Sequence, residues 1–214
     1  MSQTIRENIK QIQSEVGNTK LVVVSKYRSL PELEEVYATG HRHFGENRVQ
    51  ELVEKHGALP KDIHWHVIGH LQTNKVKYIV PFVHLIHSVD SFKLLKAINK
   101  EAEKVNRVIP FLFQLHIAQE ESKYGLTPTE LETILSSDDY HNLKHVLCRG
   151  LMGMATNTDK KDMVLQEFNG LHQLYLEHKE DQNWDTLSMG MSGDYKLAVA
   201  AGSSLIRVGS KIFG

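Results

Sequence analysis

Eight short apolar runs, each followed by a stretch of helical period, organise this chain and leave few folds open to it. The first run, residues 21–24, reads Leu-Val-Val-Val. Apolar residues at every position mark a strand buried on both faces, as in parallel sheets. A helix follows from Leu30-Pro31, with Pro31 at a favoured first-turn position, and stops near Gly40. Further strands are predicted at 43–45, 63–68, 83–86, 108–117, 146–152, 186–189 and 205–208. Helices are predicted at 47–56, 72–80, 88–104, 159–178 and 194–201. Thr127-Pro128-Thr129-Glu130 reads as a capping box that opens another. Residues 1–16 set Ile5, Ile9, Ile12 and Val16 among Arg6, Glu7, Lys10 and Glu15, which makes an amphipathic helix and not a signal peptide.

Strands alternating with helices predict an α/β fold with a parallel sheet. Eight such units favour closure over an open doubly wound sheet. The expected architecture is a single (β/α)8 TIM-type barrel with an extra N-terminal helix, spanning residues 1–214 as one domain. No Pro/Gly/Ser-rich linker divides it.

Charge and composition remove several function classes. The formal net charge is −1 and the chain carries no basic tail, so a nucleic-acid partner is not expected. No apolar run approaches the ~20 residues of a membrane span. The single Cys148 forms no intramolecular disulfide and no CxxC metal site. A cytoplasmic protein is expected, and a monomer, since no large apolar segment looks exposed.

In barrels of this kind, chemistry gathers at the C-terminal ends of the strands. Those ends read Ser25-Lys26, Gly45-Glu46-Asn47, Gly69-His70, His87-Ser88, His116, Met152-Gly153-Met154, Ser192-Gly193 and Arg207-Val208-Gly209-Ser210. The last two are Gly/Ser loops after strands seven and eight, where phosphate sites recur. Ser192 can offer a hydroxyl, and Gly209 and Ser210 backbone N–H groups, to one phosphate. Lys26 has two readings: a solvated surface lysine, or an amine desolvated in a pocket and ready to attack a carbonyl. Opposite a phosphate grip, the second reading suggests a phosphorylated aldehyde, of which pyridoxal phosphate is the common one. Arg207 then fits as the partner of the pyridine nitrogen. A protonated arginine there leaves that nitrogen unprotonated and weakens the ring as an electron sink.

The same residues carry a resemblance. The chain resembles the pyridoxal phosphate homeostasis protein family, whose fold is similar to the N-terminal barrel of bacterial alanine racemase. The matching stretches include Val24-Ser25-Lys26, Phe44-Gly45-Glu46-Asn47-Arg48-Val49-Gln50-Glu51, Trp65-His66-Val67-Ile68-Gly69-His70-Leu71-Gln72-Thr73-Asn74-Lys75 and His87-Ser88-Val89-Asp90. Glu121-Ser122-Lys123-Tyr124-Gly125-Leu126, Arg149-Gly150-Leu151-Met152-Gly153-Met154-Ala155 and the closing Gly/Ser loops complete the set. The resemblance implies Lys26 as the Schiff-base lysine, Ser192, Gly209 and Ser210 as phosphate contacts, Arg207 facing the pyridine nitrogen, and Asn47 lining the pocket. It implies a protein that binds pyridoxal 5′-phosphate, serves vitamin B6 homeostasis and delivers cofactor to apo enzymes, with no catalytic residue assigned. One departure is Leu115-His116, where many members have Val-Asn. The racemase also takes a second base from a C-terminal β-domain. This sequence stops at Gly214, so that base is expected to be missing and the reading moves from catalyst to carrier.

Two other readings compete. A slow amino-acid racemase or lyase needs an acid/base opposite Lys26, and the sequence offers no clear candidate. A zinc hydrolase would use His41-x-His43 and His64-x-His66, yet both pairs precede the strand-end glycines and Arg207 stands where an acidic ligand belongs. No metal site is therefore expected. Glu46 and Asp194 are read as first-turn or capping carboxylates, and Met152, Met154, Met189 and Met191 as packing residues.

Overall fold

The computed structural model describes residues 4–120 and 124–214; the part of the resemblance at residues 121–123, with Lys123, lies outside them. Helix α1 (Ile5–Val16) precedes β1 (Lys20–Val24), α2 (Leu30–Ala38), β2 (His43–Glu46), α3 (Val49–Ala58) and β3 (His64–Val67). A 3₁₀ turn (Thr73–Tyr78) leads to β4 (Leu85–Val89), α4 (Phe92–Lys104), β5 (Ile109–Leu115), α5 (Pro128–Leu135) and α6 (Asp138–His141). Then come β6 (Val146–Gly153), α7 (Lys161–Gln182), β7 (Thr186–Ser188), α8 (Tyr195–Ala200), β8 (Leu205–Val208) and α9 (Ser210–Phe213). The strands pair in parallel in chain order and close, with Lys20–Val23 of β1 set against Leu205–Val208 of β8. The expected eight-stranded barrel is the observed one.

Local chemistry explains where elements begin. In α1, Thr4 and Glu7 complete a reciprocal capping box, and Ile9, Ile12 and Val16 bury one face. Thr127 and Glu130 do the same for α5, as the sequence predicts. The fourth strand differs from expectation. It begins at Leu85, because the Val83 N–H still bonds back to Ile79 O at 2.8 Å and His84 N–H is the first to reach β3, at Trp65 O. It also runs through His87 and Ser88, polar residues that read as its end, because both find partners inside the barrel. The next helix waits until Phe92, where the Ser91 hydroxyl accepts from Leu94 N–H.

Most of the core lies between the strands and the surrounding helices, around Phe44, Trp65, Phe111, Phe113 and Phe168. The barrel's inside is filled differently. A small apolar group of Val22, Leu85, Leu112, Met152 and Leu205 shares it with the buried polar side chains His66, His87, Ser188 and Arg207. No helix among the described residues is long and apolar enough to cross a membrane.

Candidate functional site

A cavity of about 620 Å³ opens at the C-terminal mouth of the barrel, within the about 300–1,000 Å³ range of small-molecule sites. Lys26, Asn47, Ser192, Arg207, Gly209 and Ser210 all line it. Each of the six residues singled out in the sequence therefore reaches one space, from the ends of β1, β2, β7 and β8. The apolar wall comes from Val24, Ile68, Met154 and Met191. Met154 and Met191 thus face the cavity, while Met152 and Met189 are buried packing residues.

Lys26 is exposed at the mouth, not desolvated as its second reading required. Its backbone is held by the residue before it. Ser25 is buried; its hydroxyl donates to Glu46 Oε1 at 2.6 Å. Lys55 Nζ donates to the same oxygen at 2.7 Å and to Ser25 O at 2.8 Å. Glu46 is therefore no helix-dipole carboxylate. It ends β2 fully buried, and burial raises its carboxyl pKa against the opposing pull of Lys55 and Ser25. The ion pair and hydroxyl fasten the β1 exit to β2 and α3, and so fix where Lys26 emerges.

Asn47 follows directly. Gly69 packs so closely on it that a Cβ would sit 2.6 Å from Asn47 O, which makes glycine a requirement there. Ser192 and Gly209 tie the two Gly/Ser loops together, since the Gly209 N–H donates to Ser192 Oγ at 3.2 Å. One of the amides expected to be free for a phosphate thus already has a partner, while the first amides of α9 lack any i−4 carbonyl. Asp194 accepts from Met191 N–H at 2.5 Å and holds the β7 loop from within.

Arg207 is 3% exposed and points from β8 into the barrel. Its Nη1 donates to Ser188 Oγ at 2.5 Å and its Nη2 to Gly153 O at 3.1 Å, which uses two of its five N–H donors. Burial lowers its pKa to about 10, so it remains a guanidinium at neutral pH. Beneath it a column of imidazoles descends the barrel. His87 Nδ1 meets Ser188 Oγ at 2.9 Å, His66 Nδ1 meets His87 Nε2 at 2.8 Å, and His43 Nδ1 meets His66 Nε2 at 3.0 Å. The Ser188 oxygen accepts from the guanidinium, and each contact further down the column shares one proton between two ring nitrogens. Burial holds His66 and His87 well below their ordinary pKa, with the charge of Arg207 adding to the effect on His87.

Three further polar groups, to which sequence reasoning assigned no role, line the cavity. His70 Nδ1 lies 2.9 Å from Asp90 Oδ2, and its ring stacks on Tyr124 with centroids 4.2 Å apart. Gln114 Nε2 donates to Tyr124 O at 2.8 Å. His70, Tyr124 and Gln114 all line the cavity. The strand-end rule gave His70 without a partner, because Asp90 arrives from another strand. His116 turns out to be elsewhere: β5 stops at Leu115, and His116 lines a separate surface groove with Pro128 and Glu167. β5 instead supplies Gln114 to this cavity.

Residues 2–214 match the family model for the N-terminal domain of alanine racemase. The pyridoxal phosphate homeostasis protein of Pasteurella multocida is 33% identical over 228 residues, covering 99% of this chain and 97% of the relative. Among solved structures, PipY of Synechococcus elongatus PCC7942 with PLP bound superposes with a TM-score of 0.90. It is 34% identical, over 99% of this chain and all of that one. Alanine racemase of Clostridium difficile 630 superposes at 0.81 with 12% identity, covering 99% of this chain and 56% of the racemase, a likeness of fold alone.

Proposed function

Because the chain belongs to the alanine racemase N-terminal domain family, and within it to the pyridoxal phosphate homeostasis proteins, we propose that it binds pyridoxal 5′-phosphate at the C-terminal mouth of its barrel and serves in the homeostasis of that cofactor. The observation that carries this reading is the convergence of Lys26, Asn47, Ser192, Arg207, Gly209 and Ser210 on one cavity. Its donor set suits a phosphorylated pyridine aldehyde. Lys26 offers the only side-chain amine among the cavity's lining residues. Ser192 and the start of α9 offer a hydroxyl and backbone N–H groups for the phosphate. Arg207 offers a fixed cationic donor for the ring nitrogen, and Val24, Ile68, Met154 and Met191 offer apolar surface for the ring. When bound, the cofactor supplies an aldehyde that condenses with amines and a ring that withdraws electrons. The chain's own part is to hold the phosphate, orient the ring and present Lys26.

The exposure of Lys26 favours a carrier over a catalyst, because an open site admits water and exchanges its ligand. We take the protein to be a cytoplasmic monomer whose recipients are apo pyridoxal-phosphate enzymes. Purified protein mixed with pyridoxal phosphate should turn yellow, and borohydride should fix the cofactor on the Lys26 peptide. Lys26→Ala should lose both signals; cofactor fixed at another lysine overturns the assignment. Transfer to an apo enzyme faster than free diffusion from a dialysis compartment tests delivery.

A second reading, a slow amino-acid racemase or lyase, is favoured by the His70–Asp90 pair. An imidazole oriented by a carboxylate in the same cavity as Lys26 is an acid/base of the kind that reading lacked. Exchange of Cα hydrogen for deuterium across a panel of amino acids decides it: exchange lost in His70→Ala selects the enzyme, and no exchange selects the carrier.

A further inference from the structure

At the opposite, N-terminal mouth of the barrel lies a group of imidazoles that cofactor binding does not use. We infer that His43, His66 and His84 form a binding site for a divalent transition-metal ion of the zinc class. One ligand atom from each lies within 4.8 Å of the others. The three come from different elements: His43 from β2, His66 from β3, and His84 from the turn just before β4. His43 Nδ1 and His66 Nε2 are 3.0 Å apart. Two nitrogens each ~2.1 Å from a tetrahedral zinc stand ~3.4 Å apart, so the pair opens by a few tenths of an ångström when a metal replaces the shared proton. His84 is exposed and can turn inward to complete the set. A small cavity of about 60 Å³ lies against all three rings, room for an ion and a water.

The surroundings fit a metal bound by donor strength and not by charge. Lys20 and Arg149 line the same cavity, and Arg149 is paired with Asp185. Three neutral nitrogens suit zinc, copper or nickel. Calcium and magnesium require oxygen ligands, which these three imidazoles do not supply. The other nitrogen of His43, Nε2, lies 3.4 Å from His64 Nδ1, and His64 stacks on His84 with centroids 4.4 Å apart. His64 is thus placed to orient two of the ligands. The paired spacings in the sequence concealed this set, because His41 turns away to bond His43 O at 2.8 Å and the third ligand stands 18 residues beyond His66.

Untagged full-length protein, treated with chelator and dialysed, would be titrated with cobalt(II) and with zinc(II). The expected result is one ion per chain, with cobalt giving the visible bands of a four- or five-coordinate nitrogen site. His84→Ala, an exposed position that leaves the core intact, should weaken affinity at least tenfold; His43→Ala should do the same, and the surface variant His178→Ala should not. Ring ¹⁵N signals add a second readout. Zinc on His66 Nε2 requires the proton on Nδ1, so the loaded protein should show His66 in that single tautomer. No binding by the parent protein, equal affinity in His84→Ala, or displacement of the ion by equimolar magnesium overturns the site.

Discussion

At the scale of single residues, the decisive interactions are buried polar ones. Glu46 Oε2 has no hydrogen-bond partner, while Oε1 takes both Lys55 and Ser25. The carboxylate therefore depends on the ion pair. Lys55→Met leaves the charge buried and uncompensated, and should cost about 3–5 kcal/mol. Lys55→Met with Glu46→Gln should recover most of it, which urea unfolding of the two variants and the parent measures. Because Lys55 also bonds the Ser25 carbonyl, both variants should loosen Lys26 and weaken cofactor retention. The six residues singled out in the sequence all line the cavity, since strand ends, a lone lysine and two Gly/Ser loops are local signals. Sequence reasoning misread Glu46, because whether a carboxylate after a strand faces a helix end or an ion pair depends on Lys55, one helix away. It left His70 without a role for the same reason: Asp90 and Tyr124 approach only when β3, β4 and the loop after β5 come together.

At the scale of elements, β5 and β6 carry the sheet's clearest irregularity. Their register slips between Phe111 and Leu112, where Cys148 and then Gly150 oppose successive residues and Arg149 is left over. Gly150 adopts φ +138°, and a Cβ there would sit 1.9 Å from Thr186 O. Gly150→Ala combines backbone strain with a clash against β7, and should destabilise by about 2–4 kcal/mol. Thermal unfolding measures it, and an unchanged midpoint would remove the bulge as a constraint on β6–β7 pairing. Between β7 and β8, the Ser192–Gly209 hydrogen bond is the link that sets the phosphate loops against each other. Ser192→Ala should weaken pyridoxal phosphate binding at least tenfold with little change in stability, since Ser192 is only partly buried; equilibrium dialysis against the cofactor reads the first, and thermal unfolding the second. Strand number and order were legible, because apolar runs announce buried strands whatever surrounds them. The limits of β4 were not, because polar His87 and Ser88 continue a strand only when the barrel interior supplies their partners.

At the scale of the whole molecule, the barrel interior is partly a polar column, and that shapes stability against pH. His66 and His87 are neutral when folded, with pKa values held far below the ordinary 6.5, whereas the unfolded chain protonates both near that value. Between those limits the unfolded state binds more protons, so stability rises with pH and falls as acid is added. The contribution is complete above about pH 6.5 and is lost below it at about 1.4 kcal/mol per pH unit for each histidine. His43 and His84 act in the same direction down to about pH 4. The carboxylates whose pKa values are lowered, such as Glu15 and Glu32, release their stabilisation only below the usual carboxylate range, whereas buried Glu46, whose pKa is raised, takes up its proton above that range and opposes the histidines. Urea unfolding with a chelator present should therefore show stability falling between pH 6 and pH 5, with His66 and His87 each contributing at most about 1.2 kcal/mol. His87→Gln should flatten the slope by about one proton. A parent profile that is level across this window would mean that the column titrates alike in both states, and that the imidazoles are not the neutral, hydrogen-bonded support beneath Arg207 that their geometry requires.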